Sequence, residues 1–131
     1  MEIVIAIPAR MESSRLPGKV LKDISGKPML LRVIERCRLA KCTHKIVLCT
    51  DSDQIVNEAI KWNVDDIIKT SSECKSGSER IGSVAHALVG NKPLNKSLII
   101  NVQADQPFID PLLIDKISQK FIDNKMEVIT P

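Results

Sequence analysis

Aromatic side chains are scarce in this sequence of 131 residues, which has two Phe, one Trp and no Tyr. Proteins dedicated to nucleic acids usually stack bases on aromatic rings and carry a dense basic stripe. Here 19 basic residues are spread among 16 acidic ones, which gives a formal net charge of +3. We therefore predict no nucleic-acid partner.

Long apolar runs are also missing. The first apolar run covers residues 3–7, whereas a membrane-spanning helix needs roughly 20 such residues. Acidic Glu2 leads straight into this run, so the basic start and the longer apolar segment of a secretory signal are absent. We expect a cytoplasmic protein with no membrane segment.

The cysteines and histidines form no metal-binding pattern. No CxxC pair occurs among Cys37, Cys42, Cys49 and Cys74, and the two His residues are not spaced to complete a zinc site. We expect these cysteines to be reduced and to pack as small apolar side chains. A hydrophobic content of 44% is enough to build the core of one globular domain.

Short apolar runs alternate with helical patterns along the chain. The sequence predicts strands over residues 2–7, 45–50, 66–69, 97–102 and 126–130. It predicts helices after Pro28, after a cap at Asp51 or Ser52, over residues 76–88, and after Asp110-Pro111. This alternation is typical of an α/β, doubly wound, mostly parallel sheet with helices on both faces, a Rossmann-like architecture. Because the last strand begins close to the end of the sequence, we expect a truncated chain.

Open parallel sheets bind ligands outside the carboxyl ends of their strands, and the loop after the first strand is strongly basic. Residues 8–19 carry Arg10, Arg15 and Lys19, together with two hydroxyl groups. Arginine matches phosphate oxygens with a planar fork, lysine supplies a compact charge, and Gly18 permits a close backbone approach. A solvated basic surface loop with a Pro-Gly turn explains the same composition about equally well.

Two common nucleotide motifs are absent from this loop. No GxGxxG follows the first strand, which argues against a dinucleotide-binding dehydrogenase. The P-loop pattern fails because Val20 follows Gly18-Lys19 where that pattern has Ser or Thr. If phosphate binds here, side chains provide much of the binding.

Two further segments carry candidate residues. Asp105 follows the most apolar strand, where a carboxylate is a natural ligand for Mg²⁺. Its residue type alone favours a turn-forming Asp before a proline, and its position opposite the basic loop reverses that preference. In the other segment, Ser76 and Glu79 form a capping box that explains half of the pattern. The cap does not require Gly77 or Arg80, which also suit an anion or the polar edge of a base.

Taken together, several segments resemble the CMP-Kdo synthetases, the 3-deoxy-manno-octulosonate cytidylyltransferases, over the whole chain. They are Ile7-Pro8-Ala9-Arg10, residues 14–19, Thr50-Asp51, residues 76–80 and residues 101–105. The first segment alone is shared with other sugar nucleotidyltransferases, including CMP-sialic acid synthetases. The resemblance implies a nucleotide-diphospho-sugar transferase-like fold. It also implies that residues 1–131 are the nucleotide-binding N-terminal part of a cytidylyltransferase domain whose sugar-binding and dimerisation part is absent.

The resemblance further implies an activity. CTP and 3-deoxy-D-manno-octulosonate (Kdo) would be converted to CMP-Kdo and pyrophosphate, with Mg²⁺, for lipopolysaccharide assembly, by a protein that is a homodimer at full length. Arg10, Lys19 and Asp105 are implied as catalytic residues, and Asp105 also as the metal ligand. The implied nucleotide-binding residues are Pro8, Ala9, Arg10, Ser14, Arg15, Lys19, Ser76, Gly77, Arg80 and Gln103.

The sequence departs from the family pattern at three places. It has Ala104 for Gly, Gln106 for an acidic residue, and Cys74-Lys75 where His precedes the Ser-Gly pair. A positive φ at Ala104 would strain the metal loop, and the charge lost at Gln106 would weaken metal binding. Two alternatives stay open: a related enzyme that activates another, sialic-acid-like acidic sugar, and a truncated non-catalytic module that binds nucleotide or a partner chain.

Overall fold

A parallel sheet forms the centre of the molecule. The computed structural model describes residues 2–11, 18–42, 44–89, 97–124 and 128–129. Within this part, five strands pair in parallel throughout. From one edge to the other they are β5 (Asp66–Lys69), β4 (Lys45–Thr50), β1 (Glu2–Ala9), β6 (Ser97–Asn101) and β7 (Val128–Ile129). The predicted mostly parallel sheet is confirmed.

Five helices connect these strands in the described part of the chain. They are α1 (Met29–Arg38), α2 (Asp53–Ala59), α3 (Gly77–Ser83), α4 (Ala85–Val89) and α5 (Pro111–Asn124). A small hairpin of β2 (Asp23–Ile24) and β3 (Lys27–Pro28) precedes α1. The predicted caps form, since Ser52 Oγ accepts from the N–H of Ile55 at 3.2 Å and Asp110 Oδ1 from that of Leu112 at 2.9 Å.

The helices cover both faces of the sheet. Alternate residues of a strand point to opposite faces, and the described part of β1 is buried along nearly its whole length. Its residues Ile3, Ile5 and Ile7 belong to one core with α1, α2 and α5. Val4 and Ala6 belong to a second core with α3 and α4. The predicted three-layer arrangement is therefore confirmed, and β1 is its central strand.

Strand β1 is longer than the sequence predicts, because it continues through Pro8 to Ala9. The N–H of Val102 donates to the carbonyl of Ala6 at 3.0 Å. In a parallel sheet the backbone N–H and C=O groups of every second residue point to the same neighbouring strand, so those of Ala6 point to β6. The backbone nitrogen of Pro8 points to the same side, but β6 has already ended at Asn101 and has no paired residue there. The missing N–H of proline therefore breaks no ladder bond.

The helix predicted over residues 76–88 is wrong as a single element, because the chain breaks into α3 and α4 at Val84. Val84 has φ −125° and ψ 17°, which lies outside the helical region. Gly82 and Ser83 are weak helix formers and the β-branched Val84 follows them, so local propensity favours an end here. Of the predicted strand 126–130, β7 accounts for residues 128–129, and the remainder lies outside the described residues.

All four cysteines are free, as predicted. Cys37 lies on the apolar face of α1 and Cys49 lies within β4, and both are fully buried. Burial raises the pKa of each thiol to about 12, so both thiols are neutral near pH 7. None of the described helices is long and apolar enough to cross a membrane.

Candidate functional site

A cleft of about 200 Å³ opens beyond the carboxyl ends of β1 and β6. It is lined by Pro8, Ala9, Arg10, Lys19, Val20, Cys74, Ser76, Gly77, Arg80, Gln103, Ala104 and Asp105. Nine of the eleven residues that the sequence singles out are in this set. The other two, Ser14 and Arg15, lie outside the described residues. Three segments that are far apart in the sequence therefore meet at one place, the edge where parallel sheets bind ligands.

The two described ends of the basic loop are joined by a backbone hydrogen bond. The N–H of Gly18 donates to the carbonyl of Met11 at 2.7 Å. Gly18 has φ +73°, a left-handed conformation that favours glycine. The structure thus gives this glycine a role in closing the loop, where the sequence suggested a close approach to a ligand. Closure places Arg10, which is exposed, and Lys19 on the same cleft.

Asp105 faces Lys19 across the cleft. Lys19 Nζ lies 3.9 Å from Asp105 Oδ2, and the two side chains are 44% and 57% exposed. A pair this long and this exposed contributes about 0–1 kcal/mol to stability. Asp105 also lies in a turn, closed by the Gln106 N–H donating to the Gln103 carbonyl at 3.2 Å. Asp105 thus belongs to a turn and also lines the cleft, so its interpretation as a turn residue is compatible with its interpretation as a candidate metal ligand.

The donor set around Asp105 suits a cation that takes its remaining ligands from elsewhere. Among the described residues, no group of three or more His, Cys, Asp or Glu side chains is placed to hold a metal ion. Mg²⁺ is bound through one or two carboxylates together with substrate phosphates and water, so one exposed carboxylate fits it. Ala104 does not strain this loop, because the non-glycine residues with positive φ in the described part are Ser25 and Asn63.

The start of α3 forms another wall of the cleft. Ser76 caps this helix, its Oγ accepting from the Glu79 N–H at 3.0 Å, and Glu79 Oε2 accepts from the Lys75 N–H at 3.0 Å. The predicted cap is confirmed. Gly77 follows it at a point of close approach, because a Cβ there would lie 2.8 Å from both Gln103 Oε1 and Pro8 Cγ. A glycine is needed here for Gln103 to pack against the helix.

Arg80 lines the cleft but is held from beneath. It is 3% exposed. Its Nη1 donates to Thr70 Oγ1 and, at 3.1 Å, to the carbonyl of Ser71, and it lies 3.8 Å from Asp51 Oδ1. Arg80 therefore ties the ends of β4 and β5 to α3. The sequence suggested a direct ligand of an anion, and these partners show that the side chain also fixes the wall of the cleft.

Sequence reasoning missed several residues of the site. Val20, Cys74 and Ala104 line the cleft, and two of these were noted as departures from a family pattern and not as lining residues. Val20 carries no polar group that could have identified it. Asn101, which is buried beneath the cleft, hydrogen-bonds to Gln103. Its position at the last residue of β6 was a usable signal, because a polar residue that ends an otherwise apolar strand needs a partner.

The fold and the cleft together define a class of protein. A parallel sheet carries cationic side chains opposite an exposed carboxylate at its carboxyl edge, which is suited to an anionic ligand bound together with a divalent cation. The protein is of the α/β class, with a mostly parallel central sheet. The chain belongs to the cytidylyltransferase family, which it matches over residues 3–130.

The chain is similar to curated enzymes named for two related sugars. The chain is 41% identical over 122 residues to the 3-deoxy-manno-octulosonate cytidylyltransferase of Chlorobium phaeobacteroides (strain BS1), which is 93% of this chain and 46% of that protein. It is 43% identical over 121 residues to the 8-amino-3,8-dideoxy-manno-octulosonate cytidylyltransferase of Shewanella frigidimarina (strain NCIMB 400), which is 92% of this chain and 48% of that protein.

A solved structure of CMP:2-keto-3-deoxy-manno-octonic acid synthetase complexed with CTP superimposes with a TM-score of 0.84 and 33% identity. The match covers 95% of this chain and 48% of that one. The resemblance drawn from the sequence motifs is therefore confirmed, and so is the nucleotide-sugar transferase-like fold. The chain spans about half the length of the curated relatives it matches.

Proposed function

We propose that this chain is the nucleotide-binding part, residues 1–131, of an enzyme that converts CTP and Kdo to CMP-Kdo and pyrophosphate. One observation carries the proposal: nine residues chosen from the sequence converge on a single cleft at the carboxyl edge of the sheet. The relatives named for this reaction add to it. The proposal includes a cytoplasmic setting, a place in lipopolysaccharide assembly, and a homodimer at full length.

The chemistry in this proposal is nucleotidyl transfer, in which CMP passes from CTP to the sugar. The anomeric hydroxyl of the sugar attacks the α-phosphorus of CTP in line and loses its proton. The bond from the α-phosphorus to the bridging oxygen breaks, and pyrophosphate leaves with those electrons. No enzyme nucleophile is needed, so the protein contributes position and charge. Arg10 and Lys19, with Arg15 from the same loop, hold the triphosphate and neutralise charge that builds on the leaving group.

Asp105 would hold Mg²⁺ in the nucleotide complex. When bound, the cation would supply charge neutralisation at the phosphates. Lys19 lies 3.9 Å from Asp105 in the ligand-free chain. In our proposal Lys19 exchanges this weak contact for the triphosphate, which frees the carboxylate for the cation. The nucleoside end of CTP is assigned to the part of the cleft where Pro8, Gly77 and Gln103 lie against one another, next to Ser76.

The identity of the sugar has a second candidate. The relative from Shewanella frigidimarina is named for an 8-amino-3,8-dideoxy sugar and is 43% identical to this chain. The Kdo-named relative from Chlorobium phaeobacteroides is 41% identical. Because these values are so close, the 8-amino sugar is our alternative substrate, ahead of a sialic-acid-like sugar.

Calorimetric titration with Mg·CTP tests the nucleotide half of the proposal. We expect binding that prefers CTP to ATP, GTP and UTP and that weakens when Mg²⁺ is removed. Lys19→Ala should weaken Mg·CTP binding, while Lys27→Ala should not, because Lys27 forms an exposed ion pair with Glu35 outside the cleft. Equal affinity for all four nucleotides, or no binding by a chain shown to be folded, would contradict the proposal.

Pyrophosphate release tests the reaction itself. The full-length enzyme of the proposal, which includes the sugar-binding part, is supplied with Mg·CTP and, in separate reactions, with Kdo, its 8-amino analogue and N-acetylneuraminate. Release with one of the sugars assigns the substrate. Binding of CTP without release with any sugar would favour the non-catalytic nucleotide-binding module, the remaining alternative.

A further inference from the structure

A buried amide lies directly beneath the cleft. Asn101 is the last residue of β6, and its side chain is fully buried. Its Oδ1 accepts from Gln103 Nε2 at 2.9 Å, and its Nδ2 donates to Ser78 Oγ at 3.3 Å. Gln103 lines the cleft, whereas Asn101 and Ser78 do not. Three polar side chains from two elements therefore form one chain of hydrogen bonds that ends at the cleft.

The Gln103 amide is confined on its other side as well. A Cβ on Gly77 would lie 2.8 Å from Gln103 Oε1 and 2.9 Å from Nε2, so the helix backbone packs directly on the amide plane. Elsewhere in the described part of the chain, no other side chain hydrogen-bonds to this amide. The amide is thus held between Asn101 and Gly77, with one of its two N–H groups used by Asn101 and its carbonyl oxygen left as an acceptor beside Gly77.

We propose that Asn101 is a positioning residue that fixes the Gln103 amide so that its carbonyl oxygen accepts a hydrogen bond from the bound nucleotide. The inference rests on the proposed nucleotide binding in this cleft. The donor is an N–H or O–H group of the nucleoside, either the exocyclic amino group of the base or a ribose hydroxyl. A phosphate oxygen is excluded, because it offers no proton at neutral pH.

Fixing the amide has two physical consequences. A glutamine side chain that is already ordered loses less rotamer entropy when the nucleotide binds. A fixed carbonyl also discriminates between ligands, because an acceptor on the nucleotide at that point would face an acceptor on the protein. A freely rotating amide would present its N–H instead and lose this discrimination.

The first test needs no nucleotide. The Gln103 side-chain amide is observed by ¹⁵N NMR in the ligand-free chain and assigned by its disappearance in Gln103→Glu. In the wild type we expect the NH₂ proton that bonds to Asn101 to lie downfield of its position in a free glutamine amide and to be protected from exchange with water. Asn101→Leu, which has a similar volume and no polar atoms, should return the proton shift to that of a free glutamine amide and remove the protection. Asn57→Leu, the same change at an exposed position of α2, should leave them unchanged.

Asn101→Asp provides a rescue variant. A carboxylate has only acceptors, so it accepts from Gln103 Nε2 and from the Ser78 hydroxyl and keeps the carbonyl of Gln103 free. We expect it to retain the amide signature that Asn101→Leu loses. Because the position is buried, thermal unfolding is measured for each variant, and Ser78→Ala serves as a second, milder change that leaves the Asn101–Gln103 bond in place. An unprotected, freely rotating Gln103 amide in the wild type would overturn the proposal.

The second test measures nucleotide affinity. We expect Asn101→Leu to weaken Mg·CTP binding about five- to tenfold, the value of one hydrogen bond, and Asn101→Asp to stay within about twofold of the wild type. If the donor is the amino group of the base, the loss is seen with CTP and not with UTP. If the donor is a ribose hydroxyl, CTP and UTP lose affinity alike and a deoxy-CTP lacking that hydroxyl is unaffected by the substitution.

The outcomes separate this inference from the proposed function. A folded wild type that binds no nucleotide would overturn the proposed function and the role given to the carbonyl oxygen. Unchanged CTP affinity in a folded Asn101→Leu, in a chain whose wild type binds CTP, would overturn the positioning role alone.

Discussion

Two carboxylates that directly follow strands and two that bind backbone at the starts of strands are held in opposite ways in this molecule. Asp105 follows β6, is 57% exposed on its side chain, and has an ion-pair distance of 3.9 Å to Lys19. Asp51 follows β4 and lies 3.8 Å from a nitrogen of Arg80. Neither contact is a short hydrogen bond, so both carboxylates keep acceptor capacity.

Asp115 and Asp65 hold backbone at the starts of strands. Asp115 of α5 accepts from the N–H groups of Lys41 and Cys42, at 3.0 and 2.8 Å, in the connection that leads into β4. Asp65, directly before β5, accepts from the N–H of Ile46 at 2.7 Å. Asp65 and Asp115 therefore fix the scaffold, while Asp51 and Asp105 keep acceptor capacity at the carboxyl ends of their strands.

Asp105→Asn carries the largest expected effect. In the full-length enzyme of the proposal, loss of the charge should lower CTP-dependent pyrophosphate release about 10²- to 10³-fold, as removal of a group that stabilises transition-state charge does. Lys19→Ala should act similarly. Folding should hardly change, because the 3.9 Å pair is exposed on both sides. The measurements are pyrophosphate release and the midpoint of thermal unfolding for each variant.

Glu35→Gln is the matched control for Asp105→Asn. Glu35 pairs with Lys27 at 2.7 Å, and both side chains are partly exposed and lie outside the cleft. It should leave pyrophosphate release unchanged. Near-normal release by Asp105→Asn, or an equal loss in Glu35→Gln, would remove the assignment of Asp105 to the reacting phosphates.

Asp115→Ala should lower the stability of the fold and leave nucleotide binding unchanged, which is the reverse of what we expect for Asp105→Asn. Two backbone N–H groups lose their acceptor, so the free energy of unfolding should fall by about 1–3 kcal/mol at pH 7 while Mg·CTP affinity stays constant. Burial raises the pKa of Asp115, but the hydrogen bonds from Lys41 and Cys42 outweigh it, and the pKa lies below its ordinary value.

The lowered pKa of Asp115 makes the difference in unfolding free energy between the wild type and Asp115→Ala depend on pH. A carboxylate whose pKa is lower in the folded chain stabilises the fold above its unfolded-state pKa of roughly 4 and loses this effect as the pH falls through the folded-state value. Urea unfolding of wild type and Asp115→Ala at pH 7 and at acidic pH should therefore give a gap that narrows as the pH falls. A gap independent of pH would show that the charge of Asp115 is not what holds the connection.

The sequence predicted the strands well because their apolar runs are bounded by turns, and β4 and β5 have the predicted bounds. It failed where tertiary context decided the outcome. Pro8 stays inside β1 because β6 has ended at that level, which no local pattern reveals. The break at Val84 depends on the balance of three weak helix formers against the core contacts of α3 and α4, and the apolar periodicity over residues 76–88 hides it.

The candidate site was predictable for a different reason. Residues that follow parallel strands meet at one edge whatever the details of packing, so Arg10, Lys19 and Asp105 could be brought together from spacing alone. Contacts between side chains were not predictable in this way. The hydrogen bonds of Arg80 to Thr70 and of Asn101 to Ser78 join residues on different elements, and they depend on rotamers that the sequence does not specify.

Two glycines of α3 should respond to alanine substitution in opposite ways, and these are the smallest effects that we expect. Gly77→Ala places a methyl group 2.8 Å from Pro8 Cγ and from Gln103 Oε1, and the proline ring cannot move aside. We expect a loss of about 1 kcal/mol in unfolding free energy, together with weaker Mg·CTP binding as Gln103 is displaced. Gly82→Ala, five residues along the same helix, meets nothing within 4 Å and should stabilise the chain by about 0.5–1 kcal/mol, since alanine is the better helix former. Urea unfolding and calorimetry on both variants measure the opposite signs, and a neutral Gly77→Ala would show that α3 tolerates a side chain against Gln103.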